Sequence, residues 1–192
     1  MEFVISDLHF NHANIIKYCN RPFHNVNEMN EMLIYKWNQV VGMNDIVYHL
    51  GDFLRVLPNE NGYASYTERA LMQVRNVVQR LNGKIIYLDG NHKSIKKNQA
   101  KAAGILAFYN EPIYKDKFIM THYPMKVVPK GKINIHGHIH NTYFKTLDDH
   151  MHINVSAEVL DYVPTPFEKL STIVDKSKYI DEQEEYFWER KK

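Results

Sequence analysis

Hydrophobic positions along the chain come in two forms: short dense runs, and longer stretches in which apolar side chains recur every three or four residues. The dense runs predict strands at Glu2-Phe3-Val4-Ile5, Asp45 to Leu50, Lys84 to Leu88, Phe118-Ile119-Met120, Ile133-Asn134-Ile135 and Met151 to Val155. The spaced stretches predict amphipathic helices. From Val26 to Val41, the side chains of Val26, Met29, Leu33, Trp37 and Val40 share a face, and Asn25 is placed to cap the first turn. From Thr67 to Leu81, the shared face carries Leu71, Val74, Val78 and Leu81. A short helix is expected at Pro166 to Leu170. The stretch from Leu54 to Tyr66 contains Pro58 and Gly62 and reads as an exposed loop. Strand-helix alternation in the first half and strand-rich hairpins in the second predict a layered α/β domain over residues 1–175. Residues 176–192 are charged and aromatic, and are expected to form a peripheral helix or tail.

Composition narrows the class. The chain has 192 residues, 44% hydrophobic and 12% aromatic, enough for one domain with a substantial core. Its formal net charge of +2 neither requires nor excludes a nucleic-acid substrate, and counts mildly against a nuclease with a long basic groove. The single cysteine, Cys19, leaves no internal disulfide and fits a reducing compartment. With no secretory pattern and no membrane-length apolar run, a soluble cytoplasmic protein without a membrane partner is expected. Eleven histidines is a high count for this length, and histidine is the commonest metal ligand.

The placement of polar residues gives that count a meaning. Five times a hydrophobic strand runs into a group of potential ligands: Asp7-x-His9, Gly51-Asp52, Gly90-Asn91-His92, His122, and Gly137-His138-x-His140. In α/β sheets the carboxyl ends of strands converge on one rim, so residues distant in sequence meet there. Glycines before Asp52, Asn91 and His138 permit tight turns and close backbone approach. Singly each group is weak; the ordered set of five is specific.

In this order the motifs resemble those of the calcineurin-like metallophosphoesterase superfamily. The stretch Ser6-Asp7-Leu8-His9-Phe10-Asn11-His12, with Arg21-Pro22-Phe23, is similar to a small bacterial and phage branch, and the likeness extends through Asn154-Val155-Ser156 and Pro164. The resemblance implies a four-layer α/β/β/α sandwich with metals at one edge of the paired sheets. It assigns Asp7, His9 and His140 to one metal, Asn91, His122 and His138 to a second, and Asp52 as the bridge. Imidazole with carboxylate and amide oxygen, without thiolate, suits two divalent ions; Mn²⁺ is expected first, with Fe, Zn²⁺ or Ni²⁺ as alternatives. Such a dinuclear centre lowers the pKa of a bridging water, and the resulting hydroxide attacks phosphorus.

His92 is the natural acid for the leaving oxygen. Where the family usually has Asp or Glu after that histidine, this chain has Lys93. Three outcomes are open: Lys93 points to solvent, Lys93 contacts the substrate phosphate, or Asp89 replaces the missing carboxylate. Weaker leaving-group protonation, and hence a preference for good leaving groups, is the expectation; an ordinary acidic limb in the pH-rate profile for poor leaving groups would count against it.

Other residues carry two readings. Asn91 and His12 are candidates to contact substrate, and His12 alternatively caps the first helix. Arg21 is either a phosphate clamp or a structural corner. His49 reads as core or as support for the site, His136 as a donor beneath it, and His24, His150 and His152 as ordinary structural or surface residues. Tyr63 and Tyr66 either stack a base or sit in a solvated loop, and Trp188 either meets another subunit or packs on its own domain. The leading function is a hydrolase of a phosphomonoester or phosphodiester, a nucleotide or other small phosphate ester. Alternatives are a nuclease or phosphoprotein phosphatase of the same fold, or an inactive metal-binding module. Nothing in the sequence sets an oligomeric state.

Overall fold

A computed structural model describes residues 1–58, 65–143, 151–172 and 178–179. In chain order the elements are β1 (Glu2–Ile5), α1 (Ala13–Tyr18), α2 (Val26–Val40), β2 (Ile46–His49), α3 (Tyr66–Val78), β3 (Lys84–Leu88), α4 (Lys97–Ala100), β4 (Ala107–Tyr109), β5 (Ile113–Lys115), β6 (Phe118–Met120), β7 (Ile133–His136), β8 (Thr142–Tyr143), β9 (His152–Asn154), β10 (Thr165–Pro166), a 3-10 helix at Phe167–Thr172, and β11 (Lys178–Tyr179).

Two mixed sheets follow from the pairing. The first has the order β10-β1-β2-β3-β4, parallel throughout except for β10. The second is β5-β6-β7-β9, with β5 antiparallel and the rest parallel. One hydrophobic core joins them: Ile5, Val47 and Ile85 of the first sheet cluster with Met120 and Ile135 of the second. At the rim the sheets meet through the bridge Ser6–Ser156, where the Ser6 amide donates to the Val155 carbonyl at 2.9 Å. With helices packed alongside, this is the four-layer α/β/β/α sandwich expected from the motifs. No helix among the described residues is long and apolar enough to cross a membrane.

The long elements follow the sequence pattern closely. In α2 Met29, Leu33 and Trp37 are fully buried, and the Asn25 side chain accepts from the Glu28 amide at 3.0 Å. Helix α3 starts at Tyr66 and ends at Val78, three residues before the expected Leu81. Its start is fixed by a capping box: Ser65 Oγ accepts from the Glu68 amide at 3.3 Å, and the Glu68 carboxylate accepts from the Ser65 amide at 2.9 Å. The short helix expected at Pro166 to Leu170 is the 3-10 helix Phe167–Thr172, with Pro166 in edge strand β10. The sequence reading leaves out α4, β4 and β5, whereas β6 and β9, equally short, are placed by their dense apolar runs.

In the expected loop from Leu54 to Tyr66, Leu54 is buried and bridges to Phe10. Residues 59–64, with Tyr63, lie outside the described residues, as do His150 and Trp188. Of the segment from 176 onward, Lys178–Tyr179 pair in parallel with β8, and the rest also lies outside them.

Candidate metal centre

The loops leaving β1, β2, β3, β6 and β7 meet at one rim and are bonded to one another. The Asp7 amide donates to Gly51 O at 3.1 Å, the His9 amide to Asp52 O at 3.0 Å, and the Gly137 amide to His122 O at 3.0 Å. Five side chains there project from backbones in the left-handed region, with φ of 59° at Asp7, 53° at His9, 52° at Asp52, 71° at His138 and 52° at His140. For a residue with a Cβ this conformation costs about 1–2 kcal/mol each, and such strain collects at functional sites. Two glycines are required by crowding. A Cβ at Gly90 would strike the Asp52 carboxylate and amide, and one at Gly137 would strike Ser6 Oγ and Asp7 Oδ2.

Two sets of ligand-type atoms result. In the first, Asp7, His9 and His140 each offer an atom within 4.8 Å of the others. Asp7 Oδ2 is held by Ser156 Oγ at 3.0 Å and by the His138 amide at 2.8 Å, while Oδ1 is buried with no hydrogen-bond partner among the described residues. His9 Nε2 is likewise buried without a hydrogen bond, 3.7 Å from Asp52 Oδ2. His140 Nδ1 lies 3.0 and 3.1 Å from the two Glu158 oxygens, which directs Nε2 inward.

Asp52, His122 and His138 form the second set, joined by Asn91. His122 Nδ1 donates to Leu50 O at 2.8 Å, which leaves a lone pair on Nε2. That nitrogen is 2.8 Å from Asn91 Oδ1 and 3.1 Å from His138 Nδ1, and His138 Nδ1 is itself 2.8 Å from Asn91 Oδ1. Three ligand-type atoms thus converge on one point, where they are held together by a proton or can hold a metal ion. Asp52 Oδ1 accepts from the His92 amide at 2.8 Å, and Oδ2 lies 3.5 Å from His122 Nε2 and 3.7 Å from His9 Nε2. Asp52 therefore stands between the two sets. The orphaned Asp7 Oδ1 and His9 Nε2, with the converging Asn91, His122 and His138 atoms, fit a pair of divalent ions.

Charge states agree with this arrangement. Burial holds the His9 imidazole neutral, well below the usual histidine range, as a ligand requires. Burial opposes ionisation of Asp52, but the His122 hydrogen bond and charge and the nearby His9 outweigh it and hold the carboxyl low. In His122 and His140 burial is overcome by Asp52 and Glu158 respectively, so both rings hold a proton more tightly than usual. A metal ion would displace those protons.

A cavity of about 470 Å³ opens over both sets, lined among others by His9, His12, Asp52, Arg55, Asn91 and His92. His92 is exposed, its ring centroid 5.1 Å from that of His9 and 5.6 Å from that of His12. Lys93 points to solvent, the first of the three outcomes left open: its side chain is 77% exposed, with Nζ 4.0 Å from Asp89 Oδ2.

His12 stands at the N-cap position of α1 without capping it. Its ring instead lies 3.2 Å from His9 Nδ1 and 3.0 Å from Arg55 Nη1. Burial and the Arg55 charge lower His12 to about 4.

Arg21 is buried away from this cavity. Nε and Nη2 donate to Glu158 at 2.8 and 2.7 Å, Nη1 to Leu8 O at 2.8 Å, and Nη2 also to Asp7 O at 2.7 Å. Its guanidinium clamps the chain around Asp7 and His9. His49 is fully buried against Tyr87 and Phe53, and His136 Nδ1 lies 3.0 Å from Gly137 O beneath the rim. His24 is exposed, and His152 is half-buried with Nε2 2.9 Å from Met125 O.

Two residues of the site are not legible in the sequence. Arg55 lies three positions after Asp52 in what reads as a loop, and Glu158 sits in a turn after β9 rather than at a strand end. The only local signal for either is proximity to a motif.

Comparison with known proteins gives four findings. A family model described as calcineurin-like phosphoesterase matches residues 3–182. An uncharacterized protein of Methanocaldococcus jannaschii is 37% identical over 188 residues, covering 93% of each chain. Among solved structures, a protein of unknown function from Aquifex aeolicus aligns with a TM-score of 0.62 at 22% identity, over 91% of this chain and 99% of its own. A Pseudomonas putida nuclease aligns with a TM-score of 0.49 at 18% identity, over 75% of this chain and 64% of its own.

Proposed function

Because the chain belongs to the calcineurin-like phosphoesterase family, we propose that it hydrolyses a phosphate ester, a nucleotide or another small monoester or diester, at a centre of two divalent ions. Asp7, His9, Asp52 and His140 hold one ion, and Asp52, Asn91, His122 and His138 the other. The observation that carries this reading is the convergence of Asn91 Oδ1, His122 Nε2 and His138 Nδ1, beside a carboxylate placed between both ligand sets. Mn²⁺ fits the donor set first, with Fe, Zn²⁺ or Ni²⁺ as alternatives. When bound, such ions stabilise charge on phosphoryl oxygens and lower the pKa of a water. The single buried cysteine fits a reducing, cytoplasmic setting.

The chain's own residues do the rest. Asn91 reaches the phosphate from the second set. Arg55 takes the clamp role that the sequence offers to Arg21: it lines the cavity, and His12 is the single side chain that holds its guanidinium among the described residues. The backbone of Arg55 is anchored by its amide donating to Phe10 O at 2.8 Å, so the guanidinium projects from a fixed point. Arg21 is a positioning residue that holds the Asp7–His9 loop. His92, exposed at the cavity mouth and fixed by its amide on Asp52, delivers a proton to the leaving oxygen.

The test is an assay of metal-stripped protein reloaded with Mn²⁺, Zn²⁺, Ni²⁺ or Mg²⁺ on p-nitrophenyl phosphate, bis(p-nitrophenyl) phosphate and a nucleotide panel. Metal-dependent turnover is expected. His92→Ala should lower kcat by about 10²–10⁴ for poor leaving groups and much less for p-nitrophenolate, which departs without a proton. No turnover with two ions bound would overturn the reading in favour of an inactive metal-binding module.

A further inference from the structure

The segment that carries Asn91 and His92 borders a second cavity. Beyond His92 the chain runs through Lys93, Ser94 and Lys96 into α4, and together with α3 and β4 it encloses about 410 Å³. Tyr66 and Phe108 supply aromatic walls, and Lys93, Lys96 and Lys97 stand along its lining. Tyr66 is fixed by its hydroxyl donating to the Lys93 carbonyl at 3.1 Å. Lys93 is drawn toward Asp89, but no ion pair engages Lys96 or Lys97 among the described residues. Asp89 Oδ1, in the same wall, is buried and accepts no hydrogen bond there.

Charge along the chain is uneven in the same sense. The whole sequence has a formal net charge of +2, yet residues 90–132 carry nine lysines against only Glu111 and Asp116. Lys93 also stands where the family resemblance expects an acid. An acid there would repel any further phosphate held beside His92.

We propose that this cavity is a subsite for the leaving-group side of the substrate. Lys96 and Lys97 take a second, non-scissile phosphate, and Tyr66 and Phe108 take an adjoining aromatic ring. The assignment rests on the phosphoesterase reading above, because His92, as the acid, marks the side from which the leaving group departs, and the cavity begins at the next residue. Ammonium–phosphate pairing and stacking on aromatic side chains are the usual means of holding such a unit. The substrate class is a phosphodiester whose leaving group carries both a base and a further phosphate, in a short oligonucleotide or in a longer single strand.

The experiment compares wild type with the Lys96→Ala/Lys97→Ala double variant, both loaded with Mn²⁺. Substrates are bis(p-nitrophenyl) phosphate, the dinucleotide TpT, its end-phosphorylated form pTpTp, and a ten-residue oligothymidylate. Wild type should favour pTpTp over TpT by about tenfold or more in kcat/KM, the equivalent of one good ion pair with the second phosphate. In the double variant that preference should vanish. The slope of log kcat/KM against log salt should also become shallower, by about 0.7 for each phosphate that the variant can no longer hold. Hydrolysis of bis(p-nitrophenyl) phosphate should be unchanged, which also reports a folded variant. A further gain on the oligothymidylate over pTpTp identifies a strand as the source of the second phosphate, and no further gain identifies a short nucleotide.

An unchanged pTpTp preference in the variant, or an equal loss on all substrates, overturns the subsite. Absence of wild-type turnover on every substrate defeats the phosphoesterase reading instead. The subsite is then judged by calorimetric binding of thymidine 3′,5′-bisphosphate, which must weaken about tenfold in the double variant and refutes the subsite if it does not.

Discussion

Glu158 and Arg21 show how one buried pair organises several of the candidate ligand residues. Arg21 binds the carbonyls of Asp7 and Leu8, while Glu158 receives both Arg21 and the His140 ring. Burial works against the Glu158 charge, but His140 and Arg21 together hold its carboxyl well below the usual range. Glu158→Gln keeps the shape and removes the charge. It should weaken Mn²⁺ binding by about 10–100-fold and, by leaving Arg21 buried and uncompensated, lower stability by about 3–5 kcal/mol. Metal titration followed by thermal unfolding checks both, and a variant equal to wild type in each would refute the positioning role.

The proposed metal ligands and the supporting residues differ in legibility for a physical reason. Asp7, His9, Asp52, Asn91, His122, His138 and His140 follow apolar runs, so sheet geometry alone predicts that they meet. Arg55 and Glu158 reach the site by tertiary placement, which leaves no periodic mark. For Arg21 the sequence leaves clamp and corner open, and the distinction lies in its 4% exposure.

Among the elements, those with a long helical face or a dense apolar run are readable, and the remaining short ones are not. Helix α2 spans 15 residues, long enough for a face of Met29, Leu33 and Trp37 to declare itself, with a cap at Asn25. Elements of two to four residues depend on partners elsewhere in the chain. Strand β4, for instance, exists because Ala107, Phe108 and Tyr109 pair with Ile86, Tyr87 and Leu88. Helix α3 begins at Tyr66, one residue before the expected Thr67, because the capping box of Ser65 and Glu68 sets its first turn; in the sequence Ser65 falls within the expected loop. The α2 cap offers a simple check at this scale. Asn25→Ala removes the acceptor of the Glu28 amide and should cost about 1 kcal/mol in chemical denaturation; no change would mean that another group caps the helix.

At the scale of the molecule, two sheets joined at Ser6–Ser156 bring loops from opposite halves of the chain to one rim. The family match over residues 3–182 and the Aquifex aeolicus fold likeness agree with that single framework. Net charge, useful for excluding classes from sequence, conceals a local excess: three of the nine lysines in residues 90–132, Lys93, Lys96 and Lys97, line the cavity that follows His92 in the chain. The central claim is that both ligand sets work together through Asp52. It is tested most directly by adding Mn²⁺ stepwise to stripped protein while bound metal and bis(p-nitrophenyl) phosphate hydrolysis are followed together, for wild type and Asp52→Asn. The account predicts wild-type turnover that saturates at two ions per chain, with weakened metal binding and almost no turnover in the variant. Full turnover in Asp52→Asn, or two tightly bound ions in the wild type without hydrolysis, would contradict it.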